Sequence, residues 1–247
     1  MNISIKNCEV KIITGTDTLE INGGTQPAAA EAPAESTRPA ATDPTRPAEY
    51  KEGGFISEMT YSVSAFMANR DKVRIGDRVR IPGFKVPAAE IDGEEKLNFD
   101  EIEVAGEYAT VFKIKGEQIS LVFDRALFKS AIDRNDTGVW EDTQLAAYLR
   151  GAFLYALRKE TSAVDCGLLR KEELMGDNAL PFFRNGRNRV CFDKYEECSI
   201  WYWLETVEDA SAAYFCGAGS RGISTYYDAS DARLYVRPRF IILKSKS

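Results

Sequence analysis

The chain has 247 residues, room for one large domain or two smaller ones, with 44% hydrophobic and 28% charged residues, a balance usual for a soluble globular protein. Its net charge of −6 argues against nucleic acid as a partner, which calls for a basic face. It contains no histidine, which excludes Ser-His-Asp and Cys-His mechanisms, facial-triad iron sites and most catalytic zinc sites, leaving only carboxylate or lysine chemistry open.

In chain order, the opening MNISIKNCEVKIITG alternates polar and apolar residues (Ile3, Ile5, then Val10, Ile12) and reads as a strand. DTLEIN follows as a second strand, stopped by Asn22-Gly23-Gly24. The stretch lacks the continuous apolar core of a signal peptide, and no segment reaches the roughly 20 apolar residues of a membrane span, so no export signal and no membrane insertion are expected. Two strands are not stable alone, so residues 1–24 are expected to pack against the main domain, another copy or a larger assembly. Residues 25–54 hold five of the nine prolines and eight alanines, with no large aliphatic side chain. Such a segment cannot bury enough apolar surface to offset chain entropy and is expected to be a flexible tether.

From Phe55 the composition becomes globular, and residues 55–247 are expected to form the main domain. FISEMTYSVSAFMANRDK has an irregular apolar spacing that fits either a helix or a strand. VRIGDRVRIPGF reads as two short strands around Gly76-Asp77. DEIEVAGEYATVFKIKGEQISLVFD reads as a three-stranded antiparallel meander turning at Gly106-Glu107 and Lys115-Gly116. Residues 140–160 give the clearest helix: Leu145, Leu149, Phe153 and Leu157 form one apolar stripe, Asp142 or Thr143 is the N-cap, and Gly151 invites a break. GLLRKEELMG is a second helical piece, Asn185-Gly186 signals a hairpin turn, and the last 47 residues read as short strands and loops.

The meander strand ATVFKIKGEQISLVFD, the helix WEDTQLAAYLRGAFLYAL and the run WYWLET…FCGAGSRG…YYDASDARLYVRPRFIIL together resemble the C-type-lectin-fold domains of gut-bacterial and phage proteins. Those families carry a W-x-x-S-x-L-R-x-W-L-N helix, a W-W-L-R-S segment and a closing G-V-R-P strand. Trp140, Leu145, Tyr148 and Leu149 match the first, Trp201, Trp203 and Leu204 the second, and Val236, Arg237 and Pro238 the third. Glu205-Thr206 and Tyr235 depart from the pattern. The likeness spans roughly residues 70–245 and extends to the variable proteins of diversity-generating retroelements. It implies an α+β, C-type-lectin-like fold whose C-terminal segment carries mutable ligand-contacting positions. It further implies a non-enzymatic display protein, at a virion surface or in the bacterial cytoplasm, that binds a bacterial surface protein or glycan. Residues 1–24 would then join it to other virion proteins or to further copies of itself. A purely structural phage accessory protein is the alternative. An enzyme related to the formylglycine-generating proteins is the third reading, and only Cys216 stands in the region where those enzymes keep their cysteines.

On this reading the ligand face is built from Tyr202, Glu205, Tyr214, Ser220, Arg221, Ser224, Tyr226 and Tyr227, because tyrosines give large contact area at low entropic cost while serines adapt. Along a strand, one of Tyr226 and Tyr227 should point inward. Trp201 and Trp203 are expected in the core, and one of Arg237 and Arg239 in a buried ion pair. GAGSRG (217–222) satisfies a dinucleotide fingerprint, but no helix pattern follows it, so its glycines are expected to serve positive-φ turns in a surface loop. Arg184, Arg187 and Arg189 read as an exposed hairpin tip, and Glu172-Glu173 and Glu196-Glu197 as a solvated face. No cofactor and no metal is expected, although Glu205, Glu208, Asp209, Asp228 and Asp231 are the carboxylates a calcium site would use. The five cysteines contain no Cys-x-x-Cys and are expected as free buried thiols, a Cys191–Cys198 disulfide being the alternative.

Overall fold

The computed structural model describes residues 13–14, 17–18, 59–135, 137–193, 199–219 and 224–245. The chain divides into two units, Met1–Asp43 and Pro44–Ser247, the division falling inside the proline-alanine segment. In the first, Ile13–Thr14 and Asp17–Thr18 pair antiparallel as the described part of the expected strand pair. The rest of residues 1–24, and the tether at 25–54, lie outside the described residues.

The second unit is α+β. It opens with β1 (Thr60–Ser62) running straight into α1 (Val63–Asn69), so the ambiguous stretch is both a strand and a helix. Ser62 makes the switch: its Oγ accepts the Ala65 amide at 3.2 Å as an N-cap. β2 (Arg78–Arg80) follows. The strand expected before Gly76-Asp77 does not form, because Gly76 sits at φ 95 and the Asp77 carboxylate takes the Arg74 amide at 2.8 Å, closing a turn instead of a ladder. β3 (Tyr108–Lys115) and β4 (Gln118–Phe123) form the expected hairpin, turning at Gly116 with φ 54. The third meander strand, Ile102–Val104, pairs back with Phe84–Val86, since β3 already has β2 and β4 as neighbours.

After β5 (Phe128–Lys129) comes the long helix α2, residues 144–161. Thr143 caps it, accepting the Ala146 amide at 3.2 Å. Gly151 does not split it; Leu149–Phe153 widens into a π turn and the helix runs on to Ser162, whose φ of 59 ends it. β6 (Asp165–Gly167) and three single-turn helices follow: α3 (Lys171–Leu174), α4 (Pro181–Arg184) and α5 (Gly186–Arg189). Asn185-Gly186 is therefore a junction between two helical turns rather than a hairpin tip. Pro181 presets the first, and the Asn185 side chain caps the second by accepting the Arg187 amide at 3.1 Å. The C-terminal end is β-rich as expected: β7 (Tyr202–Asp209), β8 (Tyr214–Ala218), β9 (Ser224–Asp228), β10 (Tyr235–Val236) and β11 (Arg239–Leu243).

Two sheets organise these strands. A six-stranded sheet has the order β6-β11-β4-β3-β2-β1, so the last strand of the chain returns to lie beside β4. A five-stranded sheet has the order β5-β10-β7-β8-β9, leaving β9 at an edge. Ile119, Leu121 and Phe123 of β4 belong to the core shared with α2, while Val122 belongs to a second cluster with Phe183, Tyr202 and Leu204. A bulge in β3 serves both. Ser120 pairs with Lys113 and Leu121 with Val111, leaving Phe112 as the extra residue, turned toward the second cluster. In the first core, the Phe153 ring lies 5.9 Å from Phe84, 6.4 Å from Phe123 and 6.3 Å from Phe128.

Phe153→Ala is expected to cost about 3–5 kcal/mol, because three rings close on the cavity it leaves. Gly151→Ala, whose added methyl meets nothing within 4 Å, should be neutral or stabilising by up to about 1 kcal/mol. Urea unfolding of both variants checks the unbroken helix.

Candidate functional site

The expected site residues separate according to which side of β7, β8 and β9 they occupy. Trp203 is fully buried, its indole N–H donating to Ser130 O at 2.7 Å. Tyr202, assigned by sequence to the ligand face, is also fully buried, and its hydroxyl donates to Arg189 O at 2.6 Å. Both faces of β7 are covered at this point, so alternation brings neither residue to solvent. Tyr227 packs into the same core, its ring 5.7 Å from Trp201 and 6.0 Å from Trp203, edge to face with each. Tyr226 points the other way and is 57% exposed, as alternation requires.

The β8–β9 register decides what surrounds Tyr226. Cys216 pairs with Tyr226, Ala218 with Ser224 and Tyr214 with Asp228, so Tyr214, Ser224 and Tyr226 share the outer face of the hairpin. The Tyr214 and Tyr226 rings stack at 5.5 Å and 27°. Beside them the Cys216 thiol donates to Glu208 Oε2 at 3.1 Å, and Lys171 Nζ donates to the same oxygen at 2.8 Å. Three of the eight expected residues thus meet on one face, with Tyr227 supporting it from behind. Ser220 and Arg221 lie outside the described residues.

Two glycines of GAGSRG hold this hairpin against the core by close approach. Gly217 lies within β8, and a methyl on Gly219 would sit 2.4 Å from the Trp201 ring. Neither takes positive φ, which among the described glycines belongs to Gly76, Gly106, Gly116 and Gly176. The positive-φ role expected for these two is corrected accordingly: the Trp201 indole at Gly219, and the Leu234 and Tyr227 side chains at Gly217, leave no room for a side chain.

Glu205 is the second correction, being 5% exposed. β7 bulges there: Trp203 pairs with Gly217 and Val207 with Phe215, so three residues of β7 oppose one of β8, and the Glu205 amide donates instead to Leu169 O at 2.9 Å. One carboxylate oxygen accepts from Arg170 Nε. The other stands 3.6 Å from Arg239 Nη2 without a hydrogen bond. Arg239 itself pairs with Asp165 at 2.8 Å, so it is the arginine that takes an ion pair, but with Asp165 38% exposed the pair is half-buried and not the buried one expected. The two clefts flanking Glu205 measure about 220 and 210 Å³, below the roughly 300 Å³ at which small-molecule pockets begin.

The remaining chemistry is held in local pairs. Glu205, Glu208 and Asp231 are taken by Arg170, Lys171 and Arg233, and Asp209 and Asp228 by Ser211 and Ser230. Among the described residues no three Cys, Asp or Glu side chains gather as a metal site. Glu173 accepts from Lys113 at 2.9 Å, Glu172 accepts from Thr206 at 3.3 Å, and Glu196 and Glu197 lie outside the described residues. Arg184 and Arg187 are exposed on α4 and α5, whereas Arg189 is half-buried. Cys166, Cys191 and Cys216 are free buried thiols. Burial, and then the Glu208 hydrogen bond, push the Cys216 thiol from 9.0 up to about 12, so at neutral pH it is a donor and not a nucleophile.

No family model, no curated protein and no solved structure matches the chain. Among the described residues, no helix is long and apolar enough to cross a membrane.

The buried thiols and phenols make stability pH-dependent. Burial raises Tyr202 to about 12 and also raises Cys166, Cys191 and Tyr148. The unfolded chain therefore releases these protons first, so this stabilisation is complete below about pH 9 and is lost as the pH climbs toward 12. Urea midpoints should fall between about pH 8 and pH 10.5; a flat or rising trend would refute the burial of these groups.

Proposed function

We propose that the chain is a non-enzymatic binding protein whose second unit, of C-type-lectin-like type, presents the outer face of the β8–β9 hairpin to a protein or glycan on a bacterial surface. The observation that carries this reading is the exposed Tyr226 stacked on Tyr214 while Tyr227, one residue on, is clasped between two tryptophans. The binding rings are thereby pre-ordered, and a ligand meets aromatic surface that loses little freedom on contact. Ser224, Glu208 and Lys171 add hydroxyl and charged groups beside the rings. Supporting the fold assignment are the return of β11 beside β4 and the buried positions of the motif residues Trp140, Leu145, Leu149, Trp203, Leu204 and Val236. The proline-alanine tether and residues 1–24 fit an anchor to a virion or to further copies of the chain.

The Tyr214→Ala/Tyr226→Ala double variant should lose binding to intact bacterial cells or to an arrayed glycan panel. Its urea midpoint should stay within about 1 kcal/mol of the parent, as befits side chains largely outside the core. Tyr227→Ala, by contrast, should cost about 3 kcal/mol or more in stability. Unchanged binding by the double variant would dismiss this face.

If a retroelement diversifies the gene, sequencing its last roughly 150 base pairs across a natural population should reveal substitutions at codons 214, 221 and 226, beside an invariant template copy. Codons 202 and 227 should stay invariant, because their side chains are packed inside. An invariant segment with no template copy points to a fixed ligand or an assembly role.

A further inference from the structure

A cavity of about 450 Å³, none of whose described lining residues belongs to the Tyr214–Tyr226 face, has a composition of its own. Among the described residues, three arginines (Arg78, Arg187 and Arg237) line it against one carboxylate, Asp124, an excess of two positive charges. Asp124 is already engaged: it accepts from Arg78 and, at 2.5 Å, from the Thr110 hydroxyl.

Arg237 is the unusual member. It is 4% exposed, yet among the described residues it makes no ion pair and no hydrogen bond to a carboxylate. Its Nε donates to Phe123 O at 2.8 Å and its Nη1 to Asn188 O at 3.3 Å, neutral acceptors that leave Nη2 without a hydrogen bond among the described residues. A guanidinium removed from water is costly to hold without a paired counter-charge; Asp124, in the same cavity wall, attracts Arg237 but is itself bonded to Arg78 and Thr110. Arg187, at the rim, is exposed and its side chain makes no hydrogen bond to the described residues. Phe182 and the 42%-exposed Phe192 supply apolar wall, and the volume lies in the range of small-molecule pockets.

From this geometry we infer that the cavity is a binding site for a small organic anion, its carboxylate or phosphate held by Arg237 and Arg187 and its apolar body laid against Phe182 and Phe192. The Arg187 fork matches two oxygens of such a group, Arg237 adds its Nη2 donors, which no described residue accepts from, and the surrounding arginines exclude cations. The site does not depend on the proposed surface ligand.

Thermal-shift and calorimetric titration of the full chain with benzoate, phenyl phosphate and the neutral isostere benzamide test it. Benzoate and phenyl phosphate should stabilise the protein, and benzamide should not. Arg187→Glu should weaken benzoate binding by at least about tenfold without unfolding the chain, since its exposed side chain makes no hydrogen bond to the described residues. Phe192→Ala should weaken it by a smaller factor, and Tyr226→Ala should leave it unchanged, which separates this site from the surface face. Absence of stabilisation by either anion, equal binding of benzamide, or full affinity in Arg187→Glu would each overturn the assignment and leave Arg237 as a structural staple.

Discussion

Strand β4 is buried from Ile119 to Phe123, and a strand of that kind must be covered on both faces. One cover is α2, whose Leu149, Phe153 and Leu157 close over Leu121 and Phe123. The other is the cluster of Phe183, Tyr202 and Leu204 under Val122. The requirement reaches the end of the chain: β11 returns to pair with β4, bringing Phe240 and Ile242 onto the α2 side. Nearly every other placement in the second unit follows from this double cover.

The hairpin that carries Tyr226 is one consequence. β7 brings Trp203 into the first core and Tyr202 into the second, so it is clamped from both sides. β8 pairs along it, and β9 pairs along β8 as the free edge. Gly217 and Gly219 allow the close approach, and Tyr227 locks it between two indoles. A rigid inner side with an exposed aromatic outer side suits recognition, because the entropy of ordering the rings is lost in folding and not in binding.

The same packing determines how charge is handled. The bulge that removes Glu205 from the β7–β8 ladder delivers its carboxylate to Arg170 and Arg239, and the bulge in β3 leaves Lys113 to reach Glu173. Arg237 and Arg239, two residues apart around Pro238, meet different fates. Arg239 finds Asp165, while Arg237, among the described residues, donates only to backbone carbonyls and a tyrosine hydroxyl at the wall of a cavity that Asp124 shares. An identical side chain is a structural ion pair in one place and, in the other, a buried cation with no direct ion pair among the described residues.

Local pattern sufficed wherever one face or one turn decided the outcome. The i+4 stripe of α2, the Thr143 cap, the turn at Gly116 and the opposite facing of Tyr226 and Tyr227 were all legible in the sequence, because each depends on neighbours a few residues away. Residues with two locally acceptable roles were not. Asn185-Gly186 serves a hairpin or a helix cap equally well, Gly151 sits in a π turn that no spacing announces, and Ile102–Val104 is a strand whose partner depends on which edges are already taken. Tyr202 and Glu205 carry polar atoms and read as surface residues. Only a second layer over β7, and a bulge that turns its backbone toward Leu169, put them inside. The sequence by itself determined the long helix, the β3–β4 hairpin, the α+β class and the alternation along the β8–β9 hairpin, whereas the pairing of the strands, the elements around Gly76 and Asn185 and the burial of these polar residues were decided by the tertiary structure, since covering β4 is a condition on the whole chain.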